Sequence, residues 1–318
     1  HLNLMKKIID IKKLFQEKKY TEIISQLDNN IISIRNNSGI LNLLGACRLL
    51  KGKSNKEDLS LALEDFRKAY LAENRTNHSK EAFVNFINVS VDLFEYENSK
   101  KNHELSLNNF KEAVVFFEKN EDFFLNDVRT VLAVVRIYKR LVNLERVNFC
   151  LKTLIKNNNT SPFILNNYIY NNTFSKNWEP GDFLKYGKIL HENLPNYSEN
   201  KIVPLKKEKN KKIKIGFLSA DLSGLHPVTY FLKSILSNYD SNKIEVFLYL
   251  NHIQTEEDIS TKDLKKLVNK SYEILNLTDI EAINLIRNDR IDIIVDLMGV
   301  TSKSRLSLIK NRVAPVQI

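Results

Sequence analysis

Glycine and proline, the residues that most readily interrupt a helix, divide this sequence unequally. Residues 1–179 hold only Gly39, Gly45, Gly52 and Pro162, whereas residues 180–318 hold five of each. A stretch so poor in breakers is expected to be helical throughout. One small motif returns in it four times: Ile23-x3-Leu27-x2-Asn30, Ala62-x3-Phe66-x2-Ala69, Ser106-x3-Phe110-x2-Ala113 and Val147-x3-Leu151-x2-Leu154. Offsets of four and three put the members on one helical face, a bulky central residue flanked mostly by smaller ones, as close antiparallel packing requires. Upstream apolar-periodic segments, such as Leu41, Leu44, Gly45 and Leu49, or Phe83, Phe86, Val89 and Leu93, supply the first helix of each pair. The spacing therefore predicts an α-solenoid of helix-turn-helix repeats.

Leu44-Gly45 followed by Ala62, Phe66 and Ala69 resembles the tetratricopeptide pattern, with extra residues between Lys51 and Asp58 lengthening one turn. A capping helix is expected next, with Trp178 before Pro180 and then Phe183, Tyr186, Leu190 and Leu194 on one face. At Ile213 the period changes. Apolar β-runs at Ile213–Ser219, Ile244–Leu250, Tyr272–Leu275, Ile291–Leu297 and Val313–Ile318 alternate with helical patterns near 228–237, 258–269, 279–289 and 302–311. Nearly continuous apolar strands linked by helices predict an open parallel, Rossmann-like α/β sheet covered on both faces. The expected organisation is a helical-repeat domain over 1–177, a capping helix and connector over 178–203, a basic linker over 204–212 and an α/β lobe over 213–318.

Charge and composition remove several function classes. The chain carries a formal net charge of +10. Lys206, Lys207, Lys209, Lys211, Lys212 and Lys214 against Glu208 concentrate a net +5 at one place, whereas residues 215–318 hold 12 basic and 13 acidic groups. A solvated linker explains that run better than a nucleic-acid surface, so nucleic acid is not the expected partner. No apolar run reaches membrane length and the start lacks the pattern of a secretory signal, so a cytoplasmic protein with no membrane partner is expected. The chain begins at His1 rather than Met, which reads as a fragment. Cys47 and Cys150 lie in apolar helical patterns and are expected to be buried thiols rather than a disulfide. His78, His103, His191 and His252 are expected to be isolated and solvated, without metal-ligand spacing.

Ligands of open parallel sheets bind beyond the C-terminal strand ends, so chemistry is sought after Ser219 and Leu297. The first loop reads Ser219-Ala220-Asp221-Leu222-Ser223-Gly224-Leu225-His226-Pro227-Val228 and opens into a helix, whose free N–H groups can face an anion beside His226. That imidazole can donate to a phosphate or, when neutral, accept a proton from an attacking hydroxyl. One glycine where a dinucleotide fingerprint needs three disfavours NAD. In the second loop, Asp296-Leu297-Met298-Gly299-Val300-Thr301-Ser302-Lys303-Ser304-Arg305, Gly299 permits close backbone approach, Thr301 offers a hydroxyl, and Arg305 either holds an anion or pairs with a neighbour. A structural use of Asp296, bonded to loop amides, is at least as well supported as a catalytic one. The sequence has no D-x-D, P-loop or G-x-S-x-G motif.

Lys214-Ile215-Gly216-Phe217-Leu218-Ser219-Ala220-Asp221, His226-Pro227-Val228, Ile291 through Thr301, Arg305-Leu306 and Ala314-Pro315-Val316-Gln317, in that order, resemble the O-linked N-acetylglucosamine transferase and SPINDLY family, glycosyltransferase family 41. The resemblance implies two Rossmann-like lobes and inverting, metal-free transfer of a sugar from a UDP donor to a Ser or Thr hydroxyl. It further implies protein acceptors recruited by the repeats and a cytoplasmic setting. His226 matches an active-site histidine of that family, and Asp221, Gly224, Pro227, Gly299, Thr301 and Arg305 carry over as cleft residues. Val300 departs from it, standing where the family commonly has histidine or an aromatic. The sequence ends at Ile318, before the family's second, donor-binding lobe, so the polypeptide as given is expected to be inactive alone, binding UDP-sugar only with that lobe. The competing reading is a non-enzymatic adaptor with a protein-binding solenoid.

Overall fold

The computed structural model describes residues 11, 13–29, 37–51, 56–72, 76–98, 104–197, 211–224, 226–252 and 259–318. They form two compact units, His1–Asn159 and Thr160–Ile318.

The first unit contains α1 (Tyr20–Asp28), α2 (Ser38–Lys51), α3 (Lys56–Leu71), α4 (Asn77–Asn98), α5 (Glu104–Glu118), α6 (Glu121–Phe124), α7 (Val128–Arg140) and α8 (Leu144–Lys156). Neighbours pack as antiparallel repeats require: α1 on α2, α2 on α3, α3 on α4, α4 on α5 and α7 on α8. Every described member of the recurring motif is buried, from Ile23 and Leu27 through Ala62, Phe66 and Ala69 to Val147, Leu151 and Leu154; Asn30 lies outside the described residues. Gly45 shows why the small positions matter. A Cβ there would lie 2.7 Å from the Phe66 ring, so α2 and α3 approach only because one residue has no side chain.

Polar groups tie the repeats where helices cross. Arg48 of α2 bonds Asp65 of α3 at 2.7 Å and Asp28 of α1 at 2.6 Å. Burial raises the Asp65 carboxyl above the usual range, against the opposing pull of Arg48. Arg67 of α3 bonds Glu112 of α5 at 2.9 Å, and the Tyr70 hydroxyl donates to the same carboxylate. Cys47 and Cys150 are buried free thiols as expected, and desolvation pushes them up to about 11 and about 12.

The second unit opens with α9 (Pro162–Asn172) and α10 (Pro180–Asn193), followed by the alternating elements β1 (Ile213–Ser219), α11 (Pro227–Leu236), β2 (Ile244–Leu250), α12 (Ile259–Lys266), β3 (Lys270–Glu273), α13 (Asp279–Asp289), β4 (Ile293–Asp296), α14 (Leu306–Lys310) and β5 (Val316–Gln317). All pairings are parallel, in the order β3-β2-β1-β4-β5. Strand alternation sorts the core into two layers. Val246, Leu248 and Leu250 of β2 pack with Leu232 and Leu236 of α11 and Leu264 of α12. Phe247 and Tyr249 join Leu218, Ile294, Ile286 of α13 and Leu308 of α14 on the opposite face.

The unit boundary differs from the sequence expectation, which carried the repeat domain to residue 177 and treated 178–203 as a capping helix and connector. Three residues, Tyr168, Lys310 and Asn311, tie α9 to α10 and α10 to the end of α14. Tyr168 of α9 meets Trp178 at 5.5 Å and Tyr186 of α10 at 4.8 Å between ring centroids. Lys310 of α14 donates to the carbonyls of His191 (2.7 Å) and Leu194 (2.6 Å), satisfying the C-terminal end of α10. Buried Asn311 accepts the Tyr197 N–H at 2.7 Å and donates to the Pro195 carbonyl at 3.1 Å. Lys206, Lys207 and Lys209 of the linker lie outside the described residues.

Candidate functional site at the strand ends

In the order β3-β2-β1-β4-β5, the chain moves outward in one direction from β1 and in the other from β4. The two strands are neighbours, and the Leu297 N–H still bonds the Leu218 carbonyl at 3.0 Å as they end. Their following loops then lead to α11 on one face and α14 on the other. This is the topological switch point, where an open α/β sheet leaves a crevice. Both loops singled out in the sequence border it.

The first loop is built from the strand end outward. The Asp221 N–H bonds the Ser219 hydroxyl at 3.0 Å, and buried Thr229 in the first turn of α11 donates its hydroxyl to the Asp221 carbonyl at 3.1 Å. Gly224 takes φ +52, the left-handed region where a side chain is disfavoured. The turn closes with the His226 N–H on the Ser223 carbonyl at 3.2 Å. His226 is exposed and is the N-cap of α11, with Pro227 at the first helical position. Its Nδ1 accepts the Val228 N–H at 3.4 Å, so the neutral ring carries its proton on Nε2. A cap of this kind leaves the ring at the positive end of the helix with an outward donor, an arrangement suited to an anionic oxygen.

The second loop is held more tightly than the sequence indicates. Asp296 accepts the N–H groups of Met298 (3.0 Å) and Gly299 (3.2 Å), which is its structural reading. Burial raises its carboxyl above the ordinary range, and these two bonds work against that shift. Gly299 takes φ +55. The Thr301 hydroxyl donates back to the Met298 carbonyl at 2.8 Å and so shapes the loop.

Arg305, weighed above as an anion holder, is spent on its neighbours. It bonds Asp279 at 2.8 and 2.5 Å, the Ile274 carbonyl at 3.0 Å, the Leu277 carbonyl at 3.2 Å and Asn251 at 3.3 Å. Its side chain is only 12% exposed. Of the two uses considered for it, the structure shows the pairing.

Several residues at this edge were missed by sequence reasoning. Asn251, the first residue after β2, bonds the ends of other strands and loops. Asp279 also receives the Ser307 hydroxyl, and Asn166 of α9 donates to Ser304 at 3.1 Å. The available signal was position: Asn251 follows a strand whose end was predicted correctly. His252 corrects the solvated reading, since it is 4% exposed. His78 and His191 are exposed, and His103 lies outside the described residues. A depression of about 490 Å³ lies on α10, lined by Phe183, Leu184, Gly187, Lys188, His191 and Glu192. It follows one helix rather than the strand ends, and none of the loop motifs reaches it. Among the described residues no group of three His, Cys, Asp or Glu side chains is placed to hold a metal ion, and no helix is long and apolar enough to cross a membrane.

Comparison with known proteins follows the same segment. The Glycosyl transferase family 41 profile matches residues 184–318. A probable UDP-N-acetylglucosamine–peptide N-acetylglucosaminyltransferase SPINDLY of Arabidopsis thaliana is 30% identical over 116 residues, which are 35% of this chain and 12% of that protein. The UDP-N-acetylglucosamine–peptide N-acetylglucosaminyltransferase of Caenorhabditis elegans is 29% identical over 115 residues, 35% of this chain and 10% of that protein. In fold, the chain is similar to a Thermobaculum terrenum O-GlcNAc transferase mutant, with a TM-score of 0.60 and 19% identity, covering 88% of this chain and 50% of that one. The chain thus spans half of that solved protein, and the matched segments are about a tenth of the curated relatives. Helical repeats lead into a parallel α/β lobe, and the segment that matches the Glycosyl transferase family 41 profile holds both loops of the switch point.

Proposed function

We propose that this chain supplies the helical-repeat domain and the first α/β lobe of a protein O-glycosyltransferase. The enzyme would move a sugar, with N-acetylglucosamine the first candidate, from a UDP donor to a Ser or Thr hydroxyl of a protein held by the repeats. The observation that carries this reading is an exposed imidazole, His226, capping α11 at the switch point within the family-matched segment.

In such a transfer the acceptor oxygen forms a bond to the anomeric carbon as the bond from that carbon to UDP breaks. The acceptor hydroxyl passes its proton to the departing UDP or to solvent, and negative charge grows on the diphosphate as its bond breaks. In this reading His226 is a donor: Nε2–H stabilises the leaving oxygen, assisted by the N-terminal end of α11. Acting instead as a general base through Nε2 would require the proton to move to Nδ1, which breaks the Val228 cap. Asp221 and Gly224 shape the loop carrying the ring, while Gly299 and Thr301 shape the opposite one. The reading requires no metal ion, since helix and imidazole donors meet the developing charge.

The test is a transfer assay on the protein encoded by the native reading frame that contains this chain, with labelled nucleotide sugars and candidate acceptor proteins. Sugar transfer is expected, and His226→Ala is expected to lower it roughly a hundredfold or more. Wild-type transfer by His226→Ala counts against the proposed role, and partner capture without any sugar transfer favours the adaptor reading.

A further inference from the structure

Asn251 joins both loops of the switch point, the first through its backbone and the second through its buried side chain. The residue is 3% exposed. Its backbone N–H donates to the carbonyl of Ser219, the last residue of β1, at 2.7 Å. Its side-chain amide N–H donates to the Lys303 carbonyl at 2.8 Å, and its amide oxygen accepts from Arg305 at 3.3 Å. These neighbours fix the amide's orientation: a carbonyl requires a donor and a guanidinium requires an acceptor. An aspartate could satisfy only the second, and a leucine neither.

Lys303 is the residue held by that donor, and its backbone is at φ +65. A Cβ makes this left-handed conformation unfavourable, so it persists where surrounding contacts impose it. The Asn251 bond falls on the carbonyl of that same residue. Asp296 anchors the start of the loop through Met298 and Gly299, the Leu297 N–H bonds the Leu218 carbonyl at 3.0 Å, and Asn251 ties the far part of the loop, at Lys303, to the strand end leading into Asp221 and His226.

We propose that Asn251 is a positioning residue: it clamps Lys303 in the left-handed turn and thereby sets the spacing of the two loops between which the donor sugar diphosphate reacts. Its effect on transfer rests on the transferase reading above, whereas the clamp itself can be measured without it.

The experiment uses Asn251→Asp, which keeps the shape of the side chain and its contact with Arg305 but turns the donor facing the Lys303 carbonyl into an acceptor. Amide hydrogen exchange in this chain is expected to rise at least tenfold over residues 299–304, with β1 and β2 retaining their protection. Lys303→Gly adopts the left-handed turn without a Cβ penalty, so the double variant is expected to return loop exchange to within about threefold of wild type. In the protein encoded by the whole native reading frame, Asn251→Asp is expected to raise KM for the nucleotide sugar about tenfold with kcat little changed, and the double variant to recover it.

Unchanged exchange over 299–304, loss spread evenly through the sheet, or no recovery with Lys303→Gly overturns the clamp. If wild type transfers sugar and Asn251→Asp does so with an unchanged KM, the positioning role falls while the transferase reading stands. If wild type transfers none, both fall, even where exchange behaves as expected.

Discussion

His226 accepts the Val228 N–H through Nδ1 and so caps α11, in addition to presenting the exposed edge of its ring. The two tasks separate by substitution. His226→Asn retains a side-chain oxygen able to cap a helix, whereas His226→Ala removes the cap and is expected to cost about 1 kcal/mol of stability. Urea unfolding should therefore rank wild type and His226→Asn together above His226→Ala, while transfer falls in both variants. A stable, active His226→Asn protein would leave the ring with only a structural part. Arg305 is expected to behave in the opposite way. Its guanidinium, with Asp279 at 2.5 Å, is 12% exposed and reaches two backbone carbonyls besides. Arg305→Ala strands the Asp279 carboxylate and is expected to destabilise the unit by about 3 kcal/mol. Arg305→Lys should recover little, because an ammonium cannot reproduce a planar fork shared among Asp279, Asn251, Ile274 and Leu277. A fully stable Arg305→Ala protein with weakened donor binding would restore the anion-holding role.

At the scale of elements, the contact between α2 and α3 gives a direct test of the repeat packing. Gly45→Ala places a methyl 2.7 Å from the Phe66 ring and is expected to cost 1–3 kcal/mol in chemical denaturation. Adding Phe66→Leu should return part of that loss, and additive destabilisation would mean that the helices do not meet there. That contact was legible because a glycine beside a leucine and a recurring aromatic is a local pattern. β1 and β2 were legible to the residue because helices cover both their faces and the apolar run ends where pairing ends. β4 and β5 are shorter than their apolar runs. Ile291 and Val313 are buried for packing, but regular pairing begins at Ile293 in β4 and at Val316 in β5. α14 starts at Leu306 rather than 302 because Lys303 turns into the left-handed region. The strand-end rule drew attention to both loops, and the structure has them follow β1 and β4. The task of Arg305 was hidden, since its partners come from three other segments of the chain. Asn251 was hidden as one asparagine among many.

At the scale of the whole molecule, the division at Asn159 and Thr160 implies that the α/β lobe takes α9 with it. Trp178, the single tryptophan, reports on this directly. Its ring meets Tyr168 of α9 edge-on at 5.5 Å and stacks on Tyr186 of α10 at 5.5 Å. Each such aromatic contact contributes roughly 0.5–1.5 kcal/mol beyond the area it buries. A polypeptide of residues 160–318 is therefore expected to unfold cooperatively, with blue-shifted Trp178 emission lost in the same transition. One beginning at residue 178 lacks Tyr168 and the Asn166 bond to Ser304, which also braces the second loop. It should show red-shifted emission before any denaturant is added and melt lower by roughly 5 °C or more. Identical emission and melting for the two polypeptides would return α9 to the repeat unit and move the boundary toward residue 177. Only the first result makes α9 part of the support for the strand-end site, because the helix then reaches Ser304 as a fixed element of the same folded body.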